Sequence, residues 1–474
     1  MNYPFKTIPK KHQYEDFERS KDSEFFGLLW EMGLGKSKEA IDTMCYLYTT
    51  GKINACLILA NNGSYRNWSD GEDAELKKHC WDDVMKEAYI GVWKEDSGDI
   101  ISEIVVQGTL LIFVMNVEAL AYEKGRTAAM AFVKKRKVLL ICDESTTLKN
   151  KDAARTKAAV KIAGMCSYRR IMTGTPITNS PLDIYSQCQM LHPKALGFSS
   201  YYAFRAYYAK MVTVPMGQRS FMKVSGYQNL DVLTKSLKKF CSIRKKEECL
   251  DLPPKIYQKY SVELTDEQEK IYEQMRDDAI VELSNSIVTA PLMITRMMRL
   301  HQLVCGNLVD DDGLNHPVKS NRIKALLEVL EEAPGKVIIW ATYRANIKEI
   351  ADAIAREYGG DTVVTYYGDT SSDDRVVAVE GFQNGKIRFF VSNKSGAYGL
   401  TLTAASLVVY YSNNYELEVR LQSEDRAHRI GQDKSVTYVD LVSKGTVDEK
   451  IIKALRSNKE IADVVLGVDW KQWI

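Results

Sequence analysis

The residues most able to do chemistry gather first at Glu31-Met-Gly-Leu-Gly-Lys-Ser37. Glycines at 33 and 35 let a backbone curl until its N–H groups converge on an anion. The ammonium of Lys36 is spaced to reach the β- and γ-phosphates of a nucleotide, and the Ser37 hydroxyl to hold Mg²⁺. A helix starting at this point adds the positive end of its dipole. The full phosphate-loop pattern asks for a glycine five residues before Gly35, where this chain has Trp30. The competing reading is a glycine turn that happens to precede Lys-Ser, so the decision passes to the rest of the chain.

A second group is Asp143-Glu144, at the end of the apolar run 137–142. An Asp there can hold Mg²⁺ through water, and the adjacent Glu can orient and deprotonate an attacking water. Such pairs are also common at ordinary turns. A third group is Gln422-Ser-Glu-Asp-Arg-Ala-His-Arg-Ile-Gly-Gln432. Arg426 and Arg429 are three residues apart, which puts them on one face of a helix. An arginine supplied across a cleft can stabilise a transferring phosphoryl group by roughly 10³–10⁵ in rate. Smaller signals surround these. Gln13 offers the donor and acceptor that suit the edge of adenine. Arg66 could contact a phosphate, Trp68 reads as core, and Thr173-Gly-Thr-Pro-Ile-Thr-Asn179 suits a linkage between a nucleotide site and a bound strand.

The elements that must position these groups alternate. Apolar runs predict strands at 25–30, 55–60, 108–114 and 137–142, and a helix over 38–48. Ligands of open parallel sheets collect at strand C-terminal ends, which is where the loop after 30 and the pair at 143–144 fall. Tyr201–Tyr208 is helix-compatible and reads as a packing face. Asp251-Leu-Pro-Pro-Lys255 breaks the chain, because two prolines cannot continue a helix. A strand at 256–264, helices over 265–303 and 319–331, and strands at 336–340, 362–367, 387–391, 406–411 and 436–441 follow. The fold class is therefore α/β, with two mostly parallel sheets flanked by helices, over residues 1–252 and 253–474.

With 474 residues, 45% hydrophobic and 27% charged, the chain is sized for two or three globular domains. Its net charge of +2 means that nucleic-acid contact must use local basic surface. There is no apolar stretch long enough to span a membrane and no signal-peptide core, so a cytoplasmic protein is expected. Nine scattered cysteines without a C-x-x-C pair argue for buried thiols in a reducing compartment and against structural zinc.

Taken in order, the motifs resemble those of the Swi/Snf-type ATPases of helicase superfamily two, which are DNA translocases. The residues that carry the resemblance are Glu31 to Ser37, Arg66-Asn-Trp68, Asp143-Glu144 with Leu148-Lys-Asn150, and Thr173 to Asn179. In the second half they are Gly368 to Ser372 with Arg375, Gly399 to Ala405, Asp425 to Gln432, and Gly445 to Lys450. The match runs from about Lys10 to Ile452.

The resemblance implies two RecA-like lobes, each with a helical insertion, near 195–240 and 265–305. It implies ATP and Mg²⁺. Gln13 would meet adenine, and Gly33, Gly35, Lys36 and Ser37 the phosphates. Asp143 and Glu144 would serve metal and water, with Arg426 and Arg429 completing the site and Gln422 near the γ-phosphate. Arg66, Asn67, Lys149, Thr178, Asn179, Lys394, Ser395 and Thr403 fall where the family touches the DNA backbone. This chain departs from the family in four places: Trp30, His12, Ser145-Thr146 in place of Ala-His, and Ala60-Asn61.

The activity implied is an ATP-dependent translocase or helicase that moves along duplex or branched DNA and remodels it. Residues 453–474 are all that follow the last motif, which suggests a small stand-alone motor of phage or bacterial kind. The alternative is the motor subunit of a multi-protein DNA-processing or defence complex, active only with an unidentified partner. An exposed apolar patch on the 201–208 insertion would favour it.

Overall fold

The computed structural model describes residues 3–72, 74–94, 109–216, 219–285, 290–310 and 314–465. These form two compact units, the first built mainly from residues up to Asp251 and the second from Leu252 to Ser457.

The first unit is organised by a seven-stranded sheet. In chain order its strands are β1 (Phe25–Trp30), β2 (Ala55–Ala60), β3 (Ala88–Val92), β4 (Leu110–Asn116), β5 (Val138–Asp143), β6 (Tyr168–Met172) and, after a hairpin of β7 (Ala209–Met216) and β8 (Arg219–Tyr227), β9 (Cys241–Arg244). They lie in the order β3-β4-β2-β5-β6-β1-β9, and every pairing is parallel. A parallel sheet is buried on both faces, which is why β2 reads as the unbroken apolar run Ala-Cys-Leu-Ile-Leu-Ala. Its alternate side chains enter different cores. Leu57 packs with Leu140, Phe132 and Ile162, whereas Cys56 and Ile58 pack with Ile41 and Met44 of the helix Lys36–Thr49.

Register matters more than strand count. Met172 pairs with Leu28 on one side and with Asp143 on the other. The C-terminal ends of β5 and β6 are therefore level, and β1, on the other side of β6, runs two residues further to Trp30.

Strands β3 and β9 escaped the sequence reading, being short and, in β9, interrupted by polar Ser242 and Arg244. The insertion near 195–240 is not wholly helical. Helices Tyr201–Tyr208 and Leu230–Leu237 flank the β7–β8 hairpin. Met211-Val-Thr-Val carries β-branched side chains in sequence and has no helical period, so the hairpin wins locally. Within Tyr201–Tyr208, Phe204 and Tyr208 are buried, as a packing face requires, while Tyr202 and Tyr207 are exposed. The start of the strand expected at Gly108 lies outside the described residues.

The second unit holds a six-stranded sheet of β10 (Lys255–Ser261), β13 (Lys336–Trp340), β14 (Val363–Tyr366), β15 (Phe389–Ser392), β16 (Ala405–Tyr410) and β17 (Val436–Val442). A small ribbon of β11 (Asn307–Val309) and β12 (Asn315–Pro317) stands apart. The sheet order is β10-β17-β16-β13-β15-β14, again parallel throughout. Both units are thus RecA-like α/β layers. The insertion near 265–305 is helical where described, as Asp266–Asn285 and Ala290–Val304; residues 286–289 lie outside the described set, as do 466–474.

All nine cysteines are free, and all but Cys249 are buried. No described helix is long and apolar enough to cross a membrane.

Candidate active site

The phosphate loop joins the end of β1 to the helix Lys36–Thr49. Gly33 and Gly35 have φ of 79° and 77°, the left-handed region that only glycine enters without strain. At Gly35 there is a second reason. A Cβ there would lie 2.2 Å from Gln13 Nε2. Gln13 is buried and braces the loop: Nε2 donates to the Leu34 carbonyl at 3.0 Å, and Oε1 accepts from Lys10 N–H at 2.8 Å. His12 Nε2 reaches the same carbonyl at 2.9 Å. Burial lowers the His12 pKa, so the ring is a neutral donor at this contact. Trp30 is a fully buried strand residue whose indole N–H donates to Ser242 Oγ at 3.0 Å. That explains why a bulky side chain is accepted where the full motif has glycine. Lys36 is buried, with Nζ donating to the Trp30 carbonyl at 3.0 Å. Ser37 sits beside it in the first helical turn, partly exposed.

Asp143 ends β5 and Glu144 follows it with φ 47°, a conformation that costs a non-glycine residue about 1–2 kcal/mol. Strain of this kind concentrates at functional sites. Asp143 Oδ2 accepts from the Trp68 indole N–H at 3.2 Å, and Oδ1 accepts from the Glu144 backbone N–H at 3.0 Å. Burial first and then the Glu144 charge push the Asp143 carboxyl up to about 7, against the opposing pull of Lys36 and the two hydrogen bonds. Glu144 Oε2 accepts from Thr173 Oγ1 at 3.1 Å. Because β6 lies between β1 and β5, Thr173 must fall between the phosphate loop and the two carboxylates. The loop after β6 also packs on the phosphate loop, since a Cβ on Gly174 would lie 2.6 Å from Met32 Cγ.

The donor set fits a hard cation. Two adjacent carboxylates, one driven up to about 7 in the protein alone, are relieved by a nearby positive charge, and the Ser37 hydroxyl supplies a neutral oxygen. Among the described residues no cluster of three or more His, Cys, Asp or Glu could hold a metal by itself. Any Mg²⁺ here would thus share its coordination with nucleotide and water.

In the second unit, the helix Leu417–Ala427 carries Gln422 and Arg426. It stops at Ala427, so Arg426 and Arg429 do not share a helix face as their spacing suggested. His428 leaves the helical region, Gly431 turns the chain at φ 96°, and Gln432 Nε2 closes the helix end on the Ala427 carbonyl at 3.0 Å. The two guanidiniums are still brought together, because both donate to the Leu400 carbonyl, at 3.0 and 3.3 Å. Gln422 is buried and its Nε2 has no hydrogen-bond partner among the described residues.

The residues expected at DNA divide into two sets. Arg66, Asn67, Asn179 and Lys394 are exposed, each just beyond the C-terminal end of a sheet strand. Thr178 is buried and its hydroxyl is occupied: it accepts from Lys149 Nζ at 2.9 Å and donates to Asp183 Oδ2 at 3.1 Å. Ser395 is partly exposed in the turn after Asn393. Thr403 Oγ1 accepts from Gln383 Nε2 at 2.9 Å. Thr178 and Thr403 therefore shape their loops.

Several contributors were not read from sequence. Asp183 Oδ2 gathers the N–H groups of Thr178, Asn179 and Ser180 at 2.9–3.2 Å and so fixes the loop after β6. Its position in Asn-Ser-Pro-Leu-Asp, a capping box, was the available signal. Trp68 was read as core; it is core and also a site residue. Glu424 accepts from Arg420 Nε at 2.9 Å, from the Tyr257 hydroxyl at 2.7 Å and from Lys255 Nζ at 3.1 Å, which anchors the arginine-bearing helix to β10. No local pattern announces such long-range pairs.

A family model described as the SNF2-related domain matches residues 20–307, and one described as the helicase conserved C-terminal domain matches residues 319–431. Among curated proteins, an uncharacterised ATP-dependent helicase of Mycoplasma genitalium is 26% identical over 459 residues, 95% of this chain and 41% of that one. An ISWI chromatin-remodelling complex ATPase of Arabidopsis thaliana is 25% identical over 451 residues, 91% of this chain and 40% of that one. The chain thus spans about two fifths of the length of these relatives. The SWI2/SNF2 ATPase core of Sulfolobus solfataricus in complex with dsDNA aligns with 98% of this chain and 95% of that chain, at 24% identity and a TM-score of 0.45.

Proposed function

The chain belongs to the SNF2-related family of helicase superfamily two, and on that premise we propose that it is an ATP-hydrolysing motor that moves on DNA. The observation that carries the reading is the adjacency of three strand ends, β1, β6 and β5. It brings the Lys36 loop, the Asp143–Glu144 pair and Thr173 to one edge of the first sheet.

In the proposed reaction, Lys36 leaves the Trp30 carbonyl for the β- and γ-phosphates. Gly33 and Gly35 keep the loop's N–H groups turned toward them. Gln13 holds the loop and meets the adenine. Mg²⁺, held by Ser37 and by Asp143 through water, would neutralise charge on the phosphates. Glu144 orients the attacking water and takes its proton. Arg426 and Arg429 bring positive charge to the transferring phosphoryl group, with Gln422 near the γ-phosphate. Exposed Arg66, Asn67, Asn179 and Lys394 meet backbone phosphates, with Lys149, Thr178, Ser395 and Thr403 holding the loops that present them. Binding is then sequence-tolerant and salt-sensitive. The finer reading is remodelling of duplex or forked DNA.

One observation favours a second reading, a motor subunit that needs a protein partner. Around the β7–β8 hairpin, Tyr202, Tyr207, Val212, Phe221 and Met222 are exposed. Steady-state ATPase rates with no nucleic acid, single-stranded DNA, blunt duplex, a fork, a four-way junction and structured RNA, at matched low salt, separate the readings. Stimulation by duplex or forked DNA supports the translocase. A Lys36-dependent rate indifferent to every nucleic acid supports the partner-dependent subunit. Turnover that survives Lys36→Ala overturns both.

A further inference from the structure

The family's Ala-His pair is replaced here by Ser145-Thr146, and the structure gives both residues specific partners. Thr146 and Thr173 are fully buried, with their hydroxyl oxygens 2.8 Å apart. Thr146 Oγ1 is also 2.8 Å from the Thr175 carbonyl. Thr173 Oγ1 is 3.1 Å from Glu144 Oε2 and accepts from the Thr175 backbone N–H at 3.1 Å.

Each hydroxyl has one proton to give. Three contacts need one from this pair: Thr146 to Thr173, Thr175 carbonyl to Thr146, and Glu144 to Thr173. Two protons cannot serve all three. If Thr173 donates to Glu144, Thr146 must donate to Thr173, and the Thr175 carbonyl is left without a donor. If Thr146 donates to the Thr175 carbonyl, Thr173 must donate to Thr146, and Glu144 Oε2 is released. The remaining arrangement sets two bare oxygens 2.8 Å apart, which is repulsive.

The surroundings confine the freedom to these rotors. Ser145 Oγ donates to Gln187 Oε1 at 2.8 Å, and Gln187 Nε2 donates to the Pro176 and Asp183 carbonyls at 2.8 and 2.9 Å. Asp183 holds the far end of the same loop. That loop runs from Thr175 to exposed Asn179.

We propose that Thr146 and Thr173 are positioning residues that form a two-state hydroxyl switch. One state clamps Glu144, and the other binds the Thr175 carbonyl and frees Glu144 to accept a proton from water. The inference rests on Glu144 acting on that water, as proposed above. A ligand that shifts the Asn179 loop toward the second state raises turnover without changing nucleotide affinity.

The test uses opposite signs. Thr146→Val leaves Glu144 as the sole acceptor for Thr173, so Glu144 is clamped. Thr173→Val removes the clamp. Steady-state kcat and KM for ATP are measured with and without duplex DNA, alongside melting temperature and Glu144→Gln as control. A charge-assisted hydrogen bond gained or lost corresponds to roughly a tenfold change or more. Expected for Thr146→Val is a DNA-stimulated kcat about tenfold lower with KM unchanged, restored by Thr146→Ser. Expected for Thr173→Val is a basal kcat raised toward the stimulated value. Both valines moving kcat the same way, or leaving the stimulated-to-basal ratio intact, overturns the switch. Turnover surviving Glu144→Gln overturns instead the reading on which it rests.

Discussion

Replacing Asp143 by Asn should stabilise the protein while abolishing its turnover. Burial and the Glu144 charge lift the Asp143 carboxyl from 3.8 to about 7. The folded chain therefore disfavours the ionised form. The stabilising contribution of this group is complete below about pH 4 and is lost as pH rises through 7. Above pH 8 the penalty is on the order of 2–4 kcal/mol, the lower end allowing for the part-exposed position of the residue. An amide keeps one oxygen acceptor for the Trp68 indole or the Glu144 N–H but not both, which subtracts about 1 kcal/mol. A net gain near 2 kcal/mol raises the melting temperature of a unit this size by roughly 4–8 °C. Thermal unfolding of both proteins, without nucleotide or Mg²⁺, from pH 5 to 8.5 checks this. The gap should be widest at pH 8.5 and close toward pH 5. A variant that melts at or below the wild type at pH 8.5, or a gap that ignores pH, refutes the claim that the carboxylate is strained.

Three further outcomes are expected. Lys36→Ala should lower ATP turnover by at least about a hundredfold and remove the upward melting shift that ATP gives the wild type, measured by scanning fluorimetry. Arg429→Ala should cut kcat by roughly 10³ or more with ATP binding retained, and near-normal turnover would remove the arginine from the reaction. Lys394→Glu should weaken DNA binding and flatten its salt dependence by about one phosphate or more, whereas Thr178→Ser should leave the salt slope unchanged, because that hydroxyl is spent on Lys149 and Asp183; titrations across a salt series distinguish them.

Residue identity alone pointed to the groups of the proposed nucleotide site. Glycines at 33 and 35 with Lys36 and Ser37, the carboxylate pair after an apolar run, and the Gln422 to Gln432 stretch each carry local signals, because a phosphate loop and a strand end are made by consecutive residues. The long strands were legible for the same reason: β2 and β13 are continuous apolar runs, which burial on both faces of a parallel sheet demands. Local reading failed where a choice depends on distant partners. Spacing placed Arg426 and Arg429 on one helix, but Gln432 ends that helix and the Leu400 carbonyl gathers the two side chains instead. Thr178 was expected at the DNA backbone, and no local pattern announced that its hydroxyl joins Lys149 to Asp183.

The sequence by itself thus determined which groups are present and the order in which the chain meets them. Only the tertiary structure decided that β6 lies between β1 and β5, since strand order in a sheet is set by which faces and edges bury together across many residues. That one placement carries Thr173 to Glu144 and Thr146 to Thr175, and turns a departure in two side chains into a contact with the candidate catalytic carboxylate.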